Sequence, residues 1–181
     1  MNVALATAAS NGQDDVIKIR QVTYNGNFIY TTSTEAFGLT LEGGYTAECG
    51  SRVVDAINTV LNAQNDGTVI VLSTPNIAAN FVMDGITLQN GNVSGNHGGG
   101  LYCNTNGRVT ITNNNFNNNS TDRNGGGLFV DSEEIILAHN EIVNNTANNA
   151  TKAWYLLVNN TRDPPINEAK NIDIAINLQG N

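Results

Sequence analysis

The hexapeptide GGGLYC at 98–103 returns as GGGLFV at 125–130, 27 residues later, and VTITNNNFNNN at 109–119 returns as IILAHNEIVNN at 135–145, 26 residues later. A diverged earlier copy, FVMDGITLQNG at 81–91, places Met83, Leu88 and Asn90 in line with Ile111, Phe116 and Asn118, then with Leu137, Ile142 and Asn144. A unit of 26–28 residues with such short apolar bursts cannot bury its own apolar face, so it must stack on copies of itself. The small changes in period belong to turns, because a one-residue slip inside a strand would send its apolar side chains to solvent.

Alternation within VTI and IIL puts Val109, Ile111, Ile135 and Leu137 inside, with Thr110 and Ile136 outside. After a turn each unit offers a second inward residue, Phe116 or Ile142, and GGGL then leads into a third strand through Leu128 and Val130. Three short strands per coil, stacked coil on coil, predict an all-β right-handed parallel β-helix. The chain reads as a single domain: an N-terminal cap over 1–12, coils over 13–145 and an irregular closing coil over 146–181. In the cap, Val3, Leu5 and Ala9 suit a short amphipathic helix. In the closing coil, Trp154–Leu157 reads as the last ordinary strand, and Ile172, Ile174 and Ile176 as a final one.

The stacking also accounts for 32 asparagines in 181 residues. Corners need left-handed backbone, which Asn and Gly tolerate best. A carboxamide, being both donor and acceptor, can bond to its counterpart in the next coil. The expected ladders are Asn114 over Asn140, Asn119 over Asn145, and the series Asn90, Asn118, Asn144.

A net charge of −8 and a pI near 4.5, with eight scattered basic residues, argue against nucleic acid or an anionic membrane as a partner, since phosphate binding needs clustered Lys and Arg. No apolar run approaches the roughly 20 residues of a membrane helix. MNVALATAAS lacks the basic start and apolar length of a signal peptide, so export would rely on a targeting segment absent from this chain. Cys49 and Cys103 fit either one disulfide or two free thiols. Sequons at Asn92, Asn144 and Asn159 are expected by chance in an Asn-rich chain.

GGGL followed by FNNN, then GGGL followed by IVNN, resembles the paired repeats of the chlamydial polymorphic outer membrane proteins, and more broadly the right-handed β-helix proteins of the pectin-lyase-like superfamily. The clear repeats cover residues 81–145, and DDVIKIRQVTYNGNF with LTLEGGY is similar to the first coils of secreted bacterial β-helix proteins. Ile142 stands where the chlamydial pattern has Phe, and Gly100 and Gly127 where it has Ala. The resemblance implies an extracellular or cell-surface protein and admits a polysaccharide lyase or hydrolase acting on acidic polysaccharide, with carboxylates that hold calcium beside an Arg or Lys base.

Against that chemistry, the outward position after each sheet strand reads Glu42, Asp84, Thr112 and Ala138, with a further coil between the first two offering Asn62. Glu42 and Asp84 are the candidate calcium ligands, but six to eight oxygens are needed and the column does not supply them. His97 in GNHGGG reads as a turn residue, because its counterpart in DRNGGG is Asn124. His139 stands where Asn113 stands one coil earlier, and DSEE at 131–134 reads as a solvated turn. No nucleophile elbow or phosphate loop is present. With no complete catalytic constellation, and calcium the one cofactor the resemblance admits, the sequence favours a non-catalytic structural or adhesive module. Its expected partners are a cell-surface glycan or protein, or further copies through a solenoid end or outer face. A carbohydrate or ice-surface binder, the third alternative, would need a regular outward Thr column, and Thr40, Val82, Thr110 and Ile136 are irregular.

Overall fold

A computed structural model of the chain describes residues 1–148 and the strand 154–158. Helix α1 (Asn2–Ala8) is followed by five coils of a parallel β-helix. The first coil holds β1 (Asp15–Arg20), β2 (Thr23–Asn25) and β3 (Phe28–Thr31); the second holds β4 (Leu39–Tyr45), β5 (Val60–Asn62) and β6 (Ile70–Thr74). The third runs through β7 (Phe81–Asp84), β8 (Thr87–Gln89), β9 (Asn92–Val93) and β10 (Leu101–Thr105). The fourth runs through β11 (Arg108–Thr112), β12 (Asn115–Asn117), β13 (Ser120–Thr121) and β14 (Leu128–Ser132). The fifth runs through β15 (Glu134–Ala138), β16 (Glu141–Val143), β17 (Thr146–Ala147) and β18 (Trp154–Val158).

Sheet A stacks β1-β4-β7-β11-β15, sheet B β2-β5-β8-β12-β16 and sheet C β3-β6-β10-β14-β18. The two-residue strands β9, β13 and β17 add sheet D at the corner between B and C, so three strands per coil holds only for the first two coils. The register is the one the repeats require: Phe81 pairs with Val109 and Val109 with Ile135, while Leu88, Phe116 and Ile142 form one inward column. Val109, Ile111, Phe116, Leu128, Val130, Ile135, Leu137 and Ile142 are all buried in one core. Thr110 and Ile136 face outward and are half-buried.

Helix α1 closes the first coil with Leu5 and Ala8, which are buried, while Ala9 packs partly against the core. Val3, expected on the apolar face, is instead 82% exposed, because the inward face of so short a helix is taken by Leu5 and Ala8. At the other end β18 is the strand expected at Trp154, whereas the strand expected at Ile172, Ile174 and Ile176 lies outside the described residues.

The early coils depart from the period. Register partners Asp15, Leu39, Phe81, Val109 and Ile135 are separated by 24, 42, 28 and 26 residues. The coil of 42 is not two coils, as the period suggested, but one coil with an excursion over 46–58 and a longer loop over 63–69. Glu42 is therefore the direct neighbour of Asp84, and Asn62 belongs to sheet B.

The corners explain the asparagines. Between sheets A and B, Gly85, Asn113 and His139 occupy equivalent positions with φ of 71°, 56° and 56°. Between B and D, Asn90, Asn118 and Asn144 do the same with φ of 55°, 56° and 54°. Where the residue that follows is an asparagine, at 114, 119, 140 and 145, its side chain turns inward to the coil beneath. Asn114, 1% exposed, accepts from Ile86 N at Oδ1 (3.0 Å) and donates from Nδ2 to Met83 O (2.9 Å) and Thr112 O (2.8 Å). Asn140 Oδ1 in turn accepts from Asn114 N (3.0 Å) and Asn114 Nδ2 (3.2 Å). Asn119 and Asn145 repeat the arrangement: Asn119 Oδ1 accepts from Gly91 N (2.8 Å), Nδ2 donates to Leu88 O (3.0 Å), and Asn145 Oδ1 accepts from Asn119 N (2.9 Å) and Nδ2 (3.0 Å). These two ladders saturate backbone groups that the bend strands in the core.

The outer ladder differs at one rung. Asn118 Nδ2 donates to Asn90 Oδ1 (2.6 Å), but Asn144 Nδ2 donates to Asn117 Oδ1 (3.2 Å), not to Asn118. The residue stacked above Asn117 is Val143, which offers no donor, so the Asn117 oxygen is open to Asn144. The GGG segments stack backbone on backbone: Gly99 N, Gly100 N and Leu101 N donate to Gly125, Gly126 and Gly127 carbonyls. A Cβ on Gly100 would stand 2.3 Å from Gly127 O, which is why Ala is not accommodated there.

Phe116→Ala is expected to cost about 3–5 kcal/mol in urea melts, the loss for a buried ring in a core that cannot collapse. The corner residues should separate sharply: Asn114→Ala should cost more than about 2 kcal/mol, since it orphans buried backbone groups, while Asn118→Gly, at a positive φ, should stay within about 1 kcal/mol of wild type.

Candidate functional site

Where the repeat is interrupted, an ionic cluster forms. Lys18, Glu42, Asp84 and Thr112 share one outward column of sheet A. The excursion over 46–58 leaves the end of β4 and folds back so that Val53 N donates to Gly44 O (2.9 Å) and Tyr45 bridges to Arg52. This return delivers Arg52 to the column. Its Nη2 contacts Asp84 Oδ2 at 2.6 Å and Asp84 O at 3.1 Å, Nε donates to Gly43 O (2.8 Å), and Nη1 lies 3.9 Å from Glu42 Oε1. Asp84 Oδ1 accepts from Thr112 Oγ1 (2.8 Å) and Asn113 Nδ2 (2.6 Å), and Glu42 Oε2 accepts from Tyr45 OH (2.5 Å). Lys18 Nζ and Arg52 Cζ lie 5.3 and 5.7 Å from the centroid of the Tyr45 ring.

Burial pushes the Asp84 carboxyl up, but the bonds from Asn113, Thr112 and Arg52, with the Arg52 charge, outweigh it and hold the group below its ordinary range. Donation to Glu42 raises the Tyr45 hydroxyl. The two carboxylates proposed for calcium are thus brought together, but a guanidinium lies against both. Among the described residues no three His, Cys, Asp or Glu side chains gather as a metal site would need. Sequence repeats give no sign of Arg52, because it lies in the excursion; the signal available was the 42-residue interval itself.

The other candidates lie apart. His97 sits in its turn, half-buried, with its ring stacked on Phe129 (centroids 4.5 Å apart) and Nδ1 accepting from Asn124 N (3.1 Å). Its pKa is lowered by burial and by the charge of Arg123. It is more than a solvated turn residue, since it ties adjacent GGG turns together. His139 occupies the left-handed corner position of Asn113, as a ladder substitute would. Thr59, in the second coil, takes a comparable role unforeseen from sequence: fully buried, it accepts from Gly44 N (2.8 Å) and donates to Arg20 O (3.1 Å). Of the two alternatives for the cysteines, the disulfide is not formed. Cys103 is buried in sheet C between Leu72 and Val130, where burial raises its pKa, and Cys49 lies on the excursion.

Sheet B presents a different surface. Asn25, Asn62, Gln89 and Asn117 form one outward column. Asn90 Nδ2 reaches across to Asn62 Oδ1 (3.1 Å), joining it to the corner ladder. Beyond the corner, Ser120 Oγ donates to Asn92 Oδ1 (3.1 Å) on sheet D. None of these columns contains an ionic side chain.

Compared with family models, curated proteins and solved structures, the chain matches none. No helix of the described residues is long and apolar enough to cross a membrane.

The Asp84 carboxylate sets a pH dependence. Its pKa is lower folded than unfolded, so its contribution is complete above the unfolded value, about 3.9, and is lost as pH falls through the lower folded value. Asp84→Asn should therefore flatten the acid limb of stability, measured by urea melts from about pH 5 down to about pH 2. An acid limb as steep as that of wild type would exclude Asp84 as its source.

Proposed function

We propose that this chain is a non-catalytic β-helix module, exported or displayed at a cell surface, with a structural or adhesive role. One observation carries the proposal: the ionic cluster on sheet A, where the superfamily resemblance would place lyase chemistry, is closed on itself. Asp84 accepts from Arg52, Thr112 and Asn113, and Glu42 from Tyr45. A lyase base must be free to take a proton, and calcium-binding carboxylates must present their oxygens to the ion. Here Arg52 is committed to Asp84 and to the carbonyls of Gly43 and Asp84, a geometry suited to pinning the excursion against sheet A. We further propose kinship with chlamydial surface repeats and the pectin-lyase-like superfamily; the GGGL and FNNN motifs and the parallel β-helix support it.

Incubation with polygalacturonate and calcium should release no unsaturated product by ultraviolet absorbance, and millimolar calcium should leave the melting temperature unchanged, since an ion that binds only the folded state must raise it. Product formation, or a calcium-dependent rise in melting temperature abolished by Asp84→Asn, would overturn the proposal in favour of a lyase.

A further inference from the structure

The outer face of sheet B and its corner with sheet D combine three properties that together select a ligand class. The first is chemical uniformity. Asn62, Gln89 and Asn117 stack as direct register partners, and Asn90, Asn118 and Asn144 follow one another at the corner. The second is fixed orientation. Asn118 donates to Asn90 (2.6 Å), Asn90 to Asn62 (3.1 Å) and Asn144 to Asn117 (3.2 Å). A carboxamide has two N–H donors and two acceptor lone pairs. Each rung uses one N–H of the donating amide and one lone pair of the accepting amide; Asn62 Oδ1 is filled, because it also accepts from Gln64 N (2.9 Å), but Asn90, Asn117, Asn118 and Asn144 keep capacity of both kinds for solvent, in side chains already ordered by the ladder. Ordering that precedes binding is not lost again when a ligand arrives. The third is charge. The chain carries −8, yet these columns contain no ionic group, and the nearest acidic neighbour on the sheet, Glu141, accepts from Asn115 Nδ2 (3.0 Å).

Taken together, these features lead us to infer that the outer face of sheet B binds an uncharged, hydroxyl-rich polymer, a neutral polysaccharide, laid along the stacked coils. Hydroxyl groups both donate and accept, which matches what the amides leave open. The strand spacing of about 4.8 Å sets Gln89–Asn90 and Asn117–Asn118 in successive coils as two copies of the same pair of groups, with Val143 ending the strand column. An acidic polysaccharide would find no cation on this face and would be repelled by the rest of the chain. The inference rests on the non-catalytic proposal only in treating the protein as a binder; the face and the sheet A cluster share no residue.

The test uses a variant that leaves the backbone its preferred geometry. Asn90→Gly, Asn118→Gly and Asn144→Gly together delete the corner amides at positions of positive φ, which glycine adopts freely. Gln89→Ala with Asn117→Ala removes strand amides, and with Asn117 the acceptor of Asn144 Nδ2, while leaving the Asn118–Asn90 rung of the corner in place. Retention on immobilised mannan, dextran and soluble β-glucan is measured at low and high salt. The wild-type protein should bind at least one of the three, with affinity insensitive to salt because no ion pair is made. Both variants should bind at least about tenfold more weakly, a change of about 1.4 kcal/mol, with unchanged circular dichroism. No binding to any of the three, equal binding by a folded variant, or binding confined to polygalacturonate and lost in salt would overturn the inference. Release of sugar product during the same incubations would contradict the non-catalytic proposal alone, and absence of binding would contradict this inference alone.

Discussion

The structure depends on one two-residue device at its corners: a residue in left-handed conformation followed by a side chain that turns inward and hydrogen-bonds to the coil beneath. Asn113–Asn114, Asn118–Asn119, His139–Asn140 and Asn144–Asn145 are four copies of it. A β-helix has to bend its chain several times per coil, and every bend takes backbone groups out of the sheet ladder. Left unpaired in the core, each would cost about 1–3 kcal/mol. The inward carboxamide meets that demand with both an acceptor and donors, as Asn114 does between Ile86 N and the carbonyls of Met83 and Thr112. Apolar stacking sets what is inside; the carboxamides let the chain turn without stranding its own backbone.

Much of this was legible in the sequence because it repeats. Phe116 over Leu88, Ile111 over Met83 and Asn119 below Asn145 all follow from aligning one copy with the next. What repetition could not convey lies where it stops. The interval between Glu42 and Asp84 suggested an intervening coil, but the added residues form an excursion and a loop, and the two acids are neighbours. Arg52 has no counterpart in the other coils, so no alignment of copies could point to it. Thr59 escaped for a related reason: it does at its corner what Asn114 does later, with a hydroxyl in place of the carboxamide.

The outside of the solenoid is less uniform than its core, and the two faces described here have opposite character. On sheet A the charged groups are paired with one another and fasten the excursion to the coils. On sheet B the outward amides are aligned by hydrogen bonds between coils, and their columns carry no charge. Inward positions are constrained by stacking and by the corners, while outward positions are free to specialise.

The corner device can be observed directly by hydrogen exchange of individual amides in the native protein. Ile86, Gly91, Asn114 and Asn119 each donate their backbone N–H to a side-chain oxygen of an inward asparagine, not to a sheet partner. The account predicts that these four exchange as slowly as Ile111 within β11, because their partners, Asn114 and Asn119 buried and Asn140 and Asn145 half-buried, are held by the ladder. Exchange as fast as that of Val54 on the exposed excursion would show that the carboxamides do not secure the bends, and would contradict the central claim.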